Sequence, residues 1–151
     1  MKIIIGSDHG GYRLKSFLVH ALILKGYDVE DLGTDSSDHP VDYPDFAAAV
    51  ARAVVADPAA LGIALCGTGI GASIAANKVH GIRCALVHDC YTARMAKEHN
   101  NANVLALGGR TTAEEIALEC VMTWLNATYQ GGRHQPRIDK ITALESEPHK
   151  N

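Results

Sequence analysis

Short apolar runs alternate with longer amphipathic segments along almost the whole chain. The runs are rich in β-branched and small apolar residues, which predicts five strands, at residues 2–6, 27–31, 61–66, 83–87 and 103–107. Between them apolar residues recur at helical spacing, which predicts helices over about 11–25, from 42 onward, and over 69–78, 91–98 and 135–144. A further long helix carries Ile116, Cys120 and Trp124, and we expect Thr111 or Thr112 to cap it.

Strands that alternate with helices favour a parallel sheet, because each crossover helix packs on one face of the sheet. The pattern therefore predicts one α/β domain over residues 1–151, with a three-layer α/β/α, Rossmann-like fold and a five-stranded parallel sheet. Residues 146–151 have the composition of a frayed tail.

Composition narrows the class of protein. The 151 residues carry a net charge of −3, which argues against a nucleic-acid partner. No apolar run approaches the length of a membrane span, and the first strand begins without the pattern of a signal peptide. Four irregularly spaced cysteines indicate reduced thiols and no zinc site, so we expect a cytoplasmic location with no membrane partner and no bound metal.

Reactive side chains follow four of the five predicted strands. In an open parallel sheet, ligands bind beyond the carboxyl ends of the strands, where the strand order reverses. The residues at these ends are Asp8 and His9, Cys66, His88 and Asp89, and Arg110. Because chance would supply only one or two such residues, the pattern predicts an active edge of the sheet.

The third strand ends at Cys66, and Gly67, Gly69 and Gly71 follow at the start of a helix. A helix N-terminus with uncovered N–H groups favours a thiolate and stabilises negative charge on a ligand oxygen. This arrangement suits a base that takes a proton beside a developing oxyanion. The alternative is an ordinary buried thiol, the class to which we assign Cys84, Cys90 and Cys120.

The same glycines also fit a dinucleotide-binding fingerprint, with Asp89 as its downstream acid. That fingerprint belongs after the first strand of a nucleotide domain, whereas here it follows the third. A nucleotide-dependent dehydrogenase would also need a substrate domain, for which no residues remain. A nucleotide-binding module stays as the distant alternative.

Two further groups of polar residues invite a functional interpretation. His99 lies between a predicted helix and the last strand, where a helix C-cap is the simpler role, and its loop belongs to the opposite edge of the sheet from Cys66. Arg133, His134 and Arg137 follow two glycines and would form a compact anion-binding cluster, phosphate being the commonest such ligand. A solvated run of charge is the alternative for this cluster.

Several motifs in this order resemble one family. They are residues 6–11 (GSDHGG), 42–44 (DYP), 66–71 (CGTGIG), 75–78 (AANK), 81–83 (GIR), 99–100 (HN), 108–110 (GGR) and 131–134 (GGRH). Together they resemble the type B ribose-5-phosphate isomerases, within the wider group that includes galactose-6-phosphate isomerase subunits. The resemblance extends from Lys2 to about Glu145.

The resemblance implies an aldose–ketose isomerase that interconverts ribose 5-phosphate and ribulose 5-phosphate, in the non-oxidative branch of the pentose phosphate pathway. It implies a cis-enediolate intermediate and neither a metal nor an organic cofactor. By resemblance, Cys66 matches the base and His99 the residue that opens the furanose ring. The anion hole matches the N–H groups of Gly67, Thr68, Gly69, Ile70 and Gly71, together with the hydroxyl of Thr68. The sugar pocket matches Asp8, His9, Tyr43 and Asn100, and the phosphate site matches Arg110, Arg133, His134 and Arg137.

The resemblance also bears on assembly and on the substrate. It implies a homodimer, or a dimer of dimers, with sites between subunits and with the helix over about 135–145 packed on the partner. One branch of the family carries a glutamate base where this chain has Ala72, so Cys66 and Ala72 together indicate the thiol branch. The retained His–Asn pair and arginine-rich segment favour the pentose. A six-carbon substrate, allose 6-phosphate or galactose 6-phosphate, stays as the alternative because the sequence does not give the pocket length.

Overall fold

The computed structural model describes residues 1–148 and contains the predicted alternation of strands and helices. The strands are β1 (Lys2–Ser7), β2 (Asp28–Asp31), β3 (Leu61–Cys66), β4 (Cys84–Leu86) and β5 (Val104–Gly108). The α-helices are α1 (Tyr12–Leu24), α2 (Tyr43–Ala56), α3 (Ile70–Asn77), α4 (Cys90–Glu98), α5 (Glu114–Asn126) and α6 (Gln135–Leu144). A short 3₁₀ turn, Gly132–His134, leads into α6.

The five strands form one parallel sheet in the order β2-β1-β3-β5-β4. This confirms the predicted Rossmann-like fold. The strand order reverses between β1 and β3, so the carboxyl ends of these two strands flank the crevice in which such sheets bind ligands. Because Ser7 pairs with Leu65, the segments after β1 and β3 leave the sheet side by side.

Successive side chains along each strand point to opposite faces of the sheet, so the protein has two hydrophobic cores. Ile5, Leu65 and Leu107 belong to the larger core, on the face covered by α1, α4 and α5. Their neighbours in sequence point to the other face, where Ile4, Ala64 and Cys66 pack against α2 and α3. Cys66 therefore belongs to the layer from which α3 begins.

The start of α5 differs from the sequence prediction. Its N-cap is Ala113, which offers no side-chain cap, rather than Thr111 or Thr112. The hydroxyl of Thr111 donates to the carbonyl of Gly108 at 3.4 Å, and Thr112 is buried. The turn after β5 thus places both threonines before the N-cap residue, so neither occupies the cap position.

Helix α6 contacts its own chain at both ends. It follows the 3₁₀ turn directly, and Glu145 just beyond it accepts a hydrogen bond from the N–H of Gly81 at 2.7 Å. Packing of this helix on a partner subunit stays a prediction. Of the predicted tail, residues 149–151 lie outside the described residues, while the N–H groups of Ser146 and Glu147 donate to carbonyls of α6.

No helix within residues 1–148 is long and apolar enough to cross a membrane.

Candidate active site

A cleft of about 470 Å³ opens at the carboxyl edge of the sheet, between the ends of β1 and β3. Its lining contains ten residues, most of which were predicted from the sequence: Asp8, His9, Tyr43, Cys66, Gly67, Thr68, Ile70, Gly71, Ile74 and Arg110. The predicted edge residues His88 and Asp89 do not line it, because they follow β4, which β5 separates from β3.

Cys66 lies on the cleft wall with only 4% of its surface exposed. The N–H of Gly69 donates a hydrogen bond to its Sγ at 3.1 Å. Gly69 reaches this position with φ of +77°, a left-handed conformation that glycine adopts without strain. The glycine turn therefore fixes the sulfur at the point where α3 begins.

Unpaired N–H groups lie in the segment that joins Cys66 to the first turn of α3. Within residues 1–148, the N–H groups of Gly67, Thr68 and Gly71 have no hydrogen-bond partner, while that of Ile70 donates to the Thr68 hydroxyl at 3.3 Å. Of the N–H groups predicted to form the anion hole, those of Gly69 and Ile70 therefore donate within the described chain and the other three do not. The three free groups lie at the positive end of the α3 dipole, where they suit a negatively charged oxygen.

The segment after β1 forms the facing wall of the cleft. Asp8 is buried, and its Oδ1 accepts a hydrogen bond from the N–H of Gly11 at 3.0 Å. The Nδ1 of His9 accepts from the N–H of Val41 at 3.1 Å. A neutral His9 with an accepting Nδ1 carries its proton on Nε2, so this ring has a fixed tautomer and can donate to a ligand.

Two larger side chains complete the cleft by packing over glycines. The N–H of Arg110 donates to the carbonyl of Gly67 at 2.8 Å, and a Cβ added at Gly67 would lie 2.9 Å from the Arg110 Nη1. A Cβ added at Gly71 would lie 2.5 Å from the ring of Tyr43. A guanidinium and a phenol thus occupy the space that glycine leaves open on either side of the turn.

Ile74 is the one lining residue that was not predicted. It lies one helical turn beyond Ile70 on α3, and both side chains are exposed. Their i, i+4 spacing was the available signal, because it places them on the same face of the helix. They add an apolar rim to the cleft.

The remaining predicted residues form a second group outside this cleft: His99, Asn100, Arg133, His134 and Arg137. β5 pairs with β3 from Val104 opposite Gly62 to Gly108 opposite Cys66. The loop before Val104 is therefore about 13 Å or more from Cys66 along the strands, at the opposite edge of the sheet. One chain does not bring the two groups together.

The second group has an ordered centre. The rings of His99 and His134 stack with centroids 4.3 Å apart and planes at 19°. Burial, and then the neighbouring His99, Arg133 and Arg137, lower the pKa of His134. Both arginines are exposed, so they leave two cationic heads free beside a buried imidazole. His99 is also the C-cap of α4, as its simpler sequence interpretation predicted.

The acidic residue on which the dinucleotide-binding interpretation depends, Asp89, does not lie in the cleft. Asp89 is the N-cap of α4, and its Oδ1 accepts a hydrogen bond from the N–H of Thr92 at 2.7 Å. This contact keeps the pKa of Asp89 below its usual value. Asp89 has a local structural role at the start of α4 and lies outside the lining of the cleft.

Comparison with known proteins agrees with this geometry. A profile of the Ribose/Galactose Isomerase family matches residues 3–141. Ribose-5-phosphate isomerase B of Escherichia coli is 47% identical over 95% of this chain and 96% of its own. The structure of ribose-5-phosphate isomerase B from Clostridium thermocellum has 54% identity and a TM-score of 0.93, covering 96% of this chain and 97% of that one.

A second solved structure carries a sugar phosphate. Ribose-5-phosphate isomerase B from Mycoplasma genitalium, with bound ribulose 5-phosphate, is 45% identical with a TM-score of 0.93, and the match covers 97% of each chain. The family profile and these relatives each extend over almost the whole of the chain. The chain therefore belongs to the ribose/galactose isomerase family, as a sugar-phosphate isomerase of the ribose-5-phosphate isomerase B group.

Proposed function

We propose that the chain interconverts ribose 5-phosphate and ribulose 5-phosphate through a cis-enediolate, with Cys66 as the base. The observation that carries this proposal is the Cys66 sulfur in a cleft lined by three unpaired N–H groups. A thiolate and a set of oxyanion donors are the two components that proton transfer next to a carbonyl requires. Membership of the family, and a relative whose structure holds ribulose 5-phosphate, support the choice of substrate.

The proposed chemistry moves one proton between two carbons. The Cys66 thiolate removes the C2 proton of the open aldose, the electron pair forms a C1–C2 double bond, and the C1 carbonyl oxygen becomes an oxyanion. The free N–H groups of Gly67, Thr68 and Gly71 are placed to stabilise that charge. The thiol then returns the proton to C1, the O2 proton passes to O1, and C2 becomes the carbonyl. We assign Asp8, His9 and Tyr43 to binding the sugar hydroxyls.

We further propose that two copies of the chain complete each site. The cleft holds a single arginine, Arg110, whereas a sugar-phosphate dianion favours several cations. The second group offers Arg133 and Arg137 around His134, together with the His99 that ring opening would use, but at the far edge of the sheet. Pairing the cleft of one copy with the second group of another joins the base to the phosphate site.

Solvent deuterium exchange tests the chemistry. In D2O the wild type should exchange the C2 proton of ribose 5-phosphate as it forms ribulose 5-phosphate. Cys66→Ala should lose both reactions while still binding the phosphate ester in calorimetry. Activity of Cys66→Ala within about tenfold of wild type, roughly 1.4 kcal/mol, would remove the thiol from the mechanism. Cys90→Ala is the matched control, since Cys90 lies on α4 outside the cleft and should leave the rate unchanged.

Mixing two impaired variants, assayed at a ribose 5-phosphate concentration well below the KM of Arg137→Ala, tests the shared site. Cys66→Ala retains the phosphate group and Arg137→Ala retains the base, so a mixed dimer has one intact site. Equal amounts refolded together should recover about a quarter of wild-type activity if sites form between copies of a dimer. If each site lies within one chain, the activity of the mixture does not exceed the average of the two variants measured alone.

The identity of the sugar is tested by kcat/KM for ribose 5-phosphate, allose 6-phosphate and galactose 6-phosphate in the same assay. We expect the pentose to have the highest value. A higher value for a hexose would replace the substrate and leave the base assignment intact. Binding of the ester with no exchange in the wild type would instead indicate a sugar-phosphate sensor.

A further inference from the structure

The loop between α4 and β5, residues 99–103, accepts two hydrogen bonds from the side chain of Arg83. Arg83, directly before β4, donates from Nε to the carbonyl of Asn100 and from Nη2 to the carbonyl of Asn101, both at 2.9 Å. The guanidinium fork thus bridges two neighbouring carbonyls of the loop that carries His99 and Asn100. Arg83 belongs to the GIR motif, to which the proposed function assigns no role.

One residue of this loop, Asn101, has an unusual backbone conformation. Asn101 has a φ of +44°, and within residues 1–148 it is the only residue other than glycine with a positive φ. The N–H groups of Asn101 and Ala102 donate back to α4, and Trp124 Nε1 donates to the carbonyl of Ala102 at 3.2 Å. Arg83 satisfies the carbonyls of Asn100 and Asn101, the two residues before Ala102, so the guanidinium adds to the contacts that hold this conformation.

Arg83 is itself fixed relative to the same loop. Its backbone N–H donates to Asn103 Oδ1 at 2.8 Å, and Asn103 Nδ2 donates to the carbonyl of Gly81 at 2.8 Å. Its side chain is half-buried. A planar fork held at its base can fix two carbonyls at once, whereas an ammonium group on a flexible stem cannot reproduce that geometry.

We propose that Arg83 is a positioning residue for ring opening. Its guanidinium donates to the carbonyls of Asn100 and Asn101, so we assign it no contact with the substrate. It fixes the backbone of these two residues and through it the orientation of the His99 and Asn100 side chains. This inference rests on the proposed function, in which His99 opens the furanose ring. It predicts that loss of the guanidinium slows reactions that require ring opening more than reactions of a sugar that is already open.

The two substrates separate these reactions. Ribose 5-phosphate is cyclic and must be opened, whereas ribulose 5-phosphate has its O5 esterified and cannot close a furanose ring. Exchange of the C1 protons of ribulose 5-phosphate with D2O therefore reports the base and the anion hole alone. Conversion of ribose 5-phosphate reports these together with ring opening.

Arg83→Lys and Arg83→Ala are compared with the wild type, with Arg52→Lys on an exposed face of α2 as control. We expect conversion of ribose 5-phosphate by both Arg83 variants to fall at least about tenfold, with exchange into ribulose 5-phosphate within about threefold of wild type. Arg52→Lys should change neither rate. If Arg83→Ala does not fold, Arg83→Lys alone decides the result.

Three results would overturn the inference. If conversion and exchange fall in the same proportion in the folded Arg83 variants, the residue has only a structural role; if neither falls, it does not position the loop for catalysis. Absence of exchange in the wild type would overturn the proposed function and this inference with it. This inference alone is overturned if the wild type exchanges and the Arg83 variants keep the wild-type ratio of ribose 5-phosphate conversion to ribulose 5-phosphate exchange.

Discussion

Gly69→Ala tests whether the turn after β3 is both a structural and a catalytic requirement. Gly69 has a φ of +77°, where alanine is disfavoured by about 1–2 kcal/mol. An added Cβ would also lie 2.9 Å from the backbone carbon of Leu107 and 2.7 Å from the Leu86 side chain. Overpacking of this kind costs about 1–3 kcal/mol, because a backbone atom cannot move aside as a side chain can. We expect the free energy of unfolding to fall by about 2–5 kcal/mol.

The same substitution should impair the reaction. Relief of the contact with Leu107 moves the turn, and with it the Gly69 N–H that lies 3.1 Å from the Cys66 sulfur and the neighbouring free N–H groups. Loss of one preorganised donor costs about 10²–10³ in kcat, so we expect a decrease of that size in folded protein.

Gly26→Ala provides the control for backbone strain. Gly26 has a φ of +87°, but its added Cβ would meet nothing within 4 Å. It lies after α1, away from the cleft, and should lose only the strain energy of about 1–2 kcal/mol with unchanged kcat. Urea denaturation and initial rates measure both quantities. If Gly69→Ala matches Gly26→Ala in stability and keeps kcat within about twofold, the role assigned to the turn is wrong.

Three further substitutions test other parts of the structure. Asp31→Asn should lower the unfolding free energy by about 2 kcal/mol in urea denaturation, because the buried Lys15 ammonium loses its counter-charge. The Lys15 ammonium lies 2.6 Å from Asp31, and its side chain is only 2% exposed. An unchanged unfolding free energy would contradict this prediction. Gly71→Ala should displace the exposed Tyr43 ring and raise KM for the sugar phosphate about tenfold, while the unfolding free energy stays within about 1 kcal/mol of wild type. An unchanged KM would remove Tyr43 from the binding site. Burial lowers the pKa of His134 from 6.5, so the unfolded chain binds the proton more readily and stability falls as the pH drops below that value. His134→Gln should therefore lose less stability on acidification than the wild type, and equal losses in the two proteins would contradict the assignment.

Local sequence preferences failed where the chain folds back on itself. Thr111 and Thr112 are good N-cap residues, yet α5 begins after Ala113. The N–H groups of Gly109 and Arg110 donate to the carbonyls of Cys66 and Gly67, which fixes the turn after β5 and leaves both threonines before the cap position, Ala113. Contacts between distant segments overrode a preference that acts over only a few residues.

The sequence alone determined the order of strands and helices, the reactive residues at the carboxyl edge, and the family to which the chain belongs. These depend on hydrophobic periodicity and on short motifs, both of which are local along the chain. Tertiary structure decided which reactive residues meet. Cys66 and Asp8 meet because β1 and β3 are neighbours, whereas His88 and Asp89 are excluded because β4 is the edge strand. The bridge from Arg83 to the loop at residues 99–103 likewise exists only in the fold, because strand order and the path of each loop arise from long-range packing that periodicity does not encode.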